Sequence, residues 1–346
     1  MVKRPNKTSS FYDATRGAQR VMLLDLGFLG DSIHLLPSLW LLRNAYPDAE
    51  LHVMVSEHVT KIMEVAPWID RVWGYPRYPR RAKWYQDIAR VRRLRAAKFD
   101  VIINLNGSDR SSILTRLSGA PWRLGRRPLD GGPSFWNAMF THIVEHPYKE
   151  ELISTQRWRC LKKAGFPGEK PELHLEIPAA AKRRALEKAG DEGGWIHVSP
   201  FTTVDYRELS FAQMSELLNT LNHLTKRKII VTCAGNEREK MRMGQLLKLL
   251  DFAPWRVFRG DLDVLEYAAM VSASSLHLGG DSGGNHVAWM FGVPSVTWYR
   301  DFDGLSEWIL QGEKCSAFVG EQNDSGIRGI ETSDLISSAI KQLQRP

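Results

Sequence analysis

Two series of short apolar runs alternating with helix-length amphipathic stretches flank a segment that holds three prolines, 166–178 (FPGEKPELHLEIP). No other property of the chain restricts its fold as strongly. Strands alternating with helices build parallel, doubly wound α/β sheets, and the proline-rich break reads as a linker between two of them. In the first series the spacing predicts strands at 20–27 (RVMLLDLG), 51–55, 71–73 and 101–105, and helices at 31–46, 83–97, 111–118 and 150–164. In the second it predicts strands at 195–198, 228–233, 256–258, 275–278 and 295–297. Helices are expected there at 179–189, 211–224, 236–250, 264–273, 285–291 and 333–343. The 346 residues also exceed the length at which one hydrophobic core stops growing, roughly 250–300. The expected organisation is a polar, mobile leader at 1–18, one Rossmann-like domain at 19–170, a second at 171–330, and a C-terminal helix at 331–346.

Composition narrows the setting. The three cysteines, Cys160, Cys233 and Cys315, are far apart, which suggests neither a disulfide framework nor a zinc site. The basic N-terminus has no apolar segment behind it, and no run of 18 apolar residues exists, so a cytoplasmic protein is expected. The net charge of +8 calls for an anionic partner. Between 77 and 98 stand Arg77, Arg80, Arg81, Lys83, Arg90, Arg92, Arg93, Arg95 and Lys98, against Asp87 alone. Such a run is either a solvated helix face or a surface for phosphorylated substrate or anionic membrane.

Ligands of open α/β sheets bind at the carboxyl ends of strands, so the loops after strands are where chemistry is sought. After the first strand come Gly27, Gly30 and Asp31 (GFLGD); Asp31 is either a helix cap or a functional acid, and it reads as the only acid in that turn. The loop 279–286 (GGDSGGNH) puts four glycines, Asp281 and Ser282 before a helix. Free N–H groups there, with a helix N-terminus, suit a diphosphate. Four glycines in six residues cost entropy that contact with a ligand is expected to offset. Thr202, Thr203 and Arg207 follow another strand and suit phosphate oxygens, or an ordinary turn. Glu237 follows a fourth strand, where a carboxylate suits ribose hydroxyls. The DxD patterns Asp261/Asp263 and Asp301/Asp303 look like metal sites, but Asp261 and Asp263 precede a helix and are more simply caps, and no metal-ligand cluster is spaced for one.

Taken in order, three blocks resemble glycosyltransferase family 9, the ADP-heptose:lipopolysaccharide heptosyltransferases, over about residues 20–340. They are LGDSIHLLPSLWLLRNAYPDAELHVMV, SPFTTVDYRELS and LGGDSGGNHVAWMFGVPSV. The resemblance implies a GT-B fold, two Rossmann-like domains facing across a cleft. It also implies inverting transfer of a heptose from a nucleotide sugar to a lipopolysaccharide inner-core acceptor, without a metal or other cofactor. By that likeness Asp31 is the catalytic base. Thr202, Thr203 and Arg207 contact donor phosphates, Glu237 the ribose, and Asp281 the donor sugar. Ser282, Gly283 and Gly284 form the diphosphate cradle, and His286 is the signature histidine. Arg77, Arg80, Arg81, Arg90, Arg92 and Arg93 fall in the acceptor-binding domain, where a phosphorylated lipid-linked saccharide at the inner membrane surface would suit them. The chain departs from the family at Arg207, where lysine is usual, at Leu209-Ser210, where Trp-Pro is usual, and at Gly284-Asn285. A nicotinamide-dependent oxidoreductase requires G-x-G-x-x-G in the first turn, which GFLGD fails, although Glu57 stands where a ribose acid would. Charge alone suggests nucleic acid, and no recognised module supports it.

Overall fold

The computed structural model describes residues 10–76, 84–132, 135–173, 175–323 and 326–345. It divides into two compact units, Met1–Leu173 and His174–Pro346.

The first unit runs α1 (Phe11–Thr15), β1 (Arg20–Leu24), α2 (Leu29–Ile33), α3 (Leu36–Ala45), β2 (Glu50–Ser56), α4 (Thr60–Met63), β3 (Arg71–Tyr75), α5 (Trp84–Ala97), β4 (Val101–Asn104), α6 (Asp109–Leu117), β5 (Trp122–Arg126), β6 (His142–Val144) and α7 (Ile153–Lys163). Its six strands are parallel, in the order β3-β2-β1-β4-β5-β6. The order reverses between β1 and β4, which is where the ligands of such sheets sit. Strand β1 is buried from Val21 to Leu24, as a strand covered on both faces must be. Met22, Leu24 and Ile102 pack with Leu94 of α5 and Leu114 of α6.

Several expectations change here. The single helix at 31–46 is two, because Pro37 enters α3 in its first turn, where a missing N–H is tolerated, and so starts a new helix. Strands β5 and β6 were not expected: WRLGR carries two arginines and a glycine, and His142–Val144 is three residues long. Residues 10–18 are not a mobile leader. Ser10 caps α1 by accepting the Asp13 N–H, and Phe11 is buried against Trp122, His142 and Phe166.

The second unit runs α8 (Ala179–Ala189), β7 (Ile196–Ser199), α9 (Phe211–Thr225), β8 (Ile229–Cys233), α10 (Glu237–Leu247), β9 (Arg256–Arg259), α11 (Val264–Ser272), β10 (Leu276–Gly280), α12 (Gly283–Met290), β11 (Ser295–Arg300), β12 (Cys315–Asn323), β13 (Gly326–Arg328) and α13 (Thr332–Leu343). Its seven strands take the order β13-β12-β11-β10-β7-β8-β9, and only the β12–β13 pair is antiparallel. The reversal lies between β7 and β10. One face packs on α9 and α13 through Leu217, Leu221, Leu335 and Ala339, the other on α8 and α11 through Ala185, Ala269 and Met270. Strands β12 and β13 were missed because CSAFVGEQN and GIR show neither a continuous apolar run nor clean alternation. Among the described residues no helix is long and apolar enough to cross a membrane.

Candidate active site

At the reversal point of the first unit, the chain leaves β1 at Asp25. The strand stops at Leu24, so the turn holds two acids, Asp25 and Asp31, and not Asp31 alone. Asp25 is fully buried; its carboxylate accepts the Gly27 N–H at 2.7 Å and the Asn106 amide at 3.1 Å, and pairs with Arg157 of α7. Arg157 also donates to the Asp31 carbonyl at 2.6 Å and lies 3.5 Å from the Asp31 carboxylate. Asp31 folds back over its own turn. Its Oδ2 accepts the Phe28 N–H at 2.9 Å, and a Cβ on Gly27 would sit 2.3 Å from its side chain, so glycine is required there by space. Asp31 therefore does cap its turn, yet its side chain keeps 21% exposure.

The arginines divide. Arg90 bonds Asp87 at 2.6 Å and lies over the Tyr75 ring, and Arg93 lies over Trp73. Arg92 is exposed on a groove between α5 and α6, lined also by Ile88, Arg95, Arg110, Ile113 and Leu117. Arg77, Arg80 and Arg81 lie outside the described residues.

In the second unit the loops after β7 and β10 meet. Arg207, ending a short turn at Asp205–Arg207, donates to Asp281 at 3.1 Å. Thr202 is buried, its hydroxyl donating to the Val204 carbonyl and its N–H to Glu208, which Arg238 and Arg242 neutralise; Thr203 is exposed. The Leu209-Ser210 departure has a local cause. Leu209 is core, and Ser210 caps α9 in a box with Gln213. Glu237 opens α10 with a side chain 91% exposed, bonded to Lys240 at 3.3 Å, whereas the buried acid of the same helical turn, Glu239, accepts the Ala234 N–H. Asp263 is the cap of α11, in a box with Glu266, and Asp261 accepts the Arg259 N–H.

The glycines of 279–284 have a different cause from the one expected. None of them takes a positive φ. A Cβ on Gly279 would lie 2.6 Å from Asn285 Oδ1, on Gly280 2.8 Å from Trp298 Nε1, and on Gly284 2.4 Å from the Tyr267 hydroxyl. Internal packing thus accounts for three of them, without a ligand. Behind the loop runs a buried polar chain that the sequence did not reveal. His197 meets His277 at 2.9 Å, His277 meets Asn285 Oδ1 at 3.1 Å, and the Asn285 amide donates to the Gly280 carbonyl at 2.7 Å. Asn285, a departure from the family pattern, thereby ties β10 to α12. Burial pushes His277 and His286 down to about 4 and His197 well below its ordinary range, so all three are neutral near pH 7. Burial also holds the Asp281 carboxyl above the usual carboxylate range, against the pull of Arg207 and Arg300. Ser282 stands at the head of α12, and its hydroxyl caps none of the first helix N–H groups, the groups that an anion at a helix N-terminus would use.

The sequence profile of glycosyltransferase family 9 (heptosyltransferase) matches residues 88–306, which include every one of these second-unit residues. The chain belongs to glycosyltransferase family 9. As a member of that family it is a glycosyltransferase, and its paired parallel-sheet units are those of the GT-B fold. It is similar to lipopolysaccharide heptosyltransferase 3 of Escherichia coli, 23% identical over 80% of this chain and 82% of that one. Among solved structures it is similar to a family 9 glycosyltransferase from Veillonella parvula, with a TM-score of 0.79, 20% identity, and 94% and 97% of the two chains covered. It is also similar to E. coli ADP-heptose LPS heptosyltransferase II, with a TM-score of 0.77, 15% identity, and 94% and 98% covered.

Proposed function

We propose that this family 9 enzyme transfers heptose from ADP-heptose to a phosphorylated, lipid-linked inner-core saccharide of lipopolysaccharide, with inversion and without a metal. The carrying observation is the Arg207–Asp281 pair, set at the carboxyl ends of β7 and β10 beside the N-terminus of α12. That arrangement offers a cation and helix N–H groups to a diphosphate and a carboxylate to sugar hydroxyls. The names of the similar proteins supply the donor and acceptor classes.

In the reaction the acceptor hydroxyl oxygen bonds to the anomeric carbon as the bond from that carbon to the diphosphate oxygen breaks. The electron pair leaves with the nucleotide, and the hydroxyl proton passes to the Asp31 carboxylate. Arg207, Thr202, Thr203, Ser282 and the N–H groups of Gly283 and Gly284 stabilise the charge gathering on the leaving group. Asp281 orients the sugar, Glu237 the ribose, and neutral His286 completes the loop. The exposed arginines of the 77–98 stretch meet acceptor phosphate, and the enzyme works at the cytoplasmic face of the inner membrane. The Leu209-Ser210 departure is a helix cap, so it gives no reason to assign a different donor.

A panel of ADP, GDP, UDP and CMP tests the nucleotide. ADP should raise the melting temperature most, since ligand at about a hundred times Kd adds roughly 2.7 kcal/mol. ADP release from ADP-heptose, dependent on an inner-core acceptor, tests the transfer. Equal shifts across the panel together with no acceptor-dependent release would overturn the reading.

A further inference from the structure

A second guanidinium, that of Arg300, lies against the same rings as Arg207, the partner of Asp281. Strand β11 runs next to β10, with Trp298 paired to Gly280, and it ends at Arg300. The Arg300 guanidinium lies 4.9 Å from the Tyr206 ring centre and 5.7 Å from that of Phe302. Arg207 lies 6.0 Å from each of the same rings. Two guanidinium groups therefore share the same two rings, and Arg207, one of them, bonds a carboxylate whose side chain is 12% exposed.

We propose that Arg300 is a positioning residue for the donor sugar: it holds Asp281 as a carboxylate when Arg207 turns from Asp281 to the donor's diphosphate. This rests on the donor-site reading above. A diphosphate carries more charge than a carboxylate and draws the Arg207 fork toward it. Asp281 then loses the charge-assisted bond seen here. A buried carboxylate stripped of its partner takes up a proton. The neutral acid has one O–H donor and fewer acceptor sites for sugar hydroxyls. Arg300, beside the same two rings, supplies the replacement charge. Among the described residues, the groups that act on Asp281 are Arg207 from the turn after β7 and Arg300 and Tyr299 from β11. Burial pushes the Tyr299 phenol up to about 12, so it stays neutral throughout.

Titration calorimetry with ADP and with ADP-heptose, from pH 5 to 9, tests this on wild type, Arg300→Gln and Arg300→Lys. The readout is the preference for ADP-heptose over ADP. In wild type the preference should fall only at the acidic end. In Arg300→Gln, ADP affinity should stay within a few fold, while the fall in preference moves up by about one pH unit, a roughly tenfold loss at the pH where wild type still discriminates. Arg300→Lys keeps the charge and should restore the wild-type profile. A glutamine profile that superimposes on wild type, a loss that is the same at every pH, or a lysine variant as impaired as glutamine would each overturn the proposal while leaving the donor site in place. A wild type that never prefers ADP-heptose to ADP would remove Asp281 as a sugar ligand, and Arg300's role with it.

Discussion

Arg157 pairs with the buried carboxylate of Asp25 and stands 3.5 Å from that of Asp31, so one guanidinium on α7 joins both acids of the loop after β1. The Asp25 side chain is fully buried and that of Arg157 is 4% exposed. Removing one partner of such a pair leaves an uncompensated charge in the interior, which costs about 3–5 kcal/mol. Arg157→Met should lose that much in urea unfolding, and the double variant Asp25→Leu/Arg157→Met should lose clearly less. A loss below about 1 kcal/mol in the single variant would mean the pair does not hold this loop.

Asp281→Ala should weaken ADP-heptose binding far more than ADP binding, because its carboxylate is assigned to sugar hydroxyls and Arg207 to the phosphates. Losing a charged hydrogen-bond partner is worth about 1.5–3 kcal/mol, or roughly ten- to a hundredfold. Calorimetry with the two ligands decides it; equal losses would take Asp281 off the sugar.

The parallel architecture was legible because buried strand segments such as Val21–Leu24 and Ile229–Val231 are continuous apolar runs. The loops after β1, β7 and β10 were legible because doubly wound sheets gather ligands there. What stayed hidden depends on neighbours distant in sequence. Asp25 looked like part of a strand, and only Arg157, on an element 132 residues away, shows why an acid is buried there. The glycines of 279–284 looked like a ligand cradle, but Tyr267, Trp298 and Asn285, which exclude a Cβ at three of them, are visible only once the sheet is folded. Arg300 carried no local signal at all, being a polar end to an apolar strand.

The buried histidines set an acid limit on stability. His277 and His286 titrate near 4 when folded and near the ordinary 6.5 when unfolded. Below 6.5 the unfolded chain binds protons that the folded chain refuses, so the stability is full above that pH and falls as pH drops toward 4. By pH 5 each should have removed about 2 kcal/mol. Melting temperature measured from pH 7.5 to 5 should decline steadily, before most carboxylates titrate. A flat profile over that window would contradict the neutral, buried assignment.

Arg90 and Arg92, two residues apart, should behave differently. Arg90→Gln breaks the bond to Asp87 and the contact with the Tyr75 ring, costing on the order of 1–2 kcal/mol of stability. Arg92→Gln, on an exposed position, should leave stability within about 0.5 kcal/mol. It should raise the acceptor KM and flatten its salt dependence, and a dephosphorylated acceptor should be indifferent to it. An unchanged KM for the phosphorylated acceptor would make Arg92 part of a solvated helix face only.

The central claim is that Asp31 takes the acceptor's proton, and Asp31→Asn tests it on one purified protein. Asparagine matches the side chain in size and can still accept the Phe28 N–H, so the turn should fold. It cannot serve as the base. The account predicts ADP-heptose affinity close to wild type, because the residues assigned to the donor all lie in the second unit, together with a kcat lower by about a hundredfold to ten-thousandfold. A folded, donor-binding Asp31→Asn enzyme that turns over at nearly the wild-type rate would contradict it.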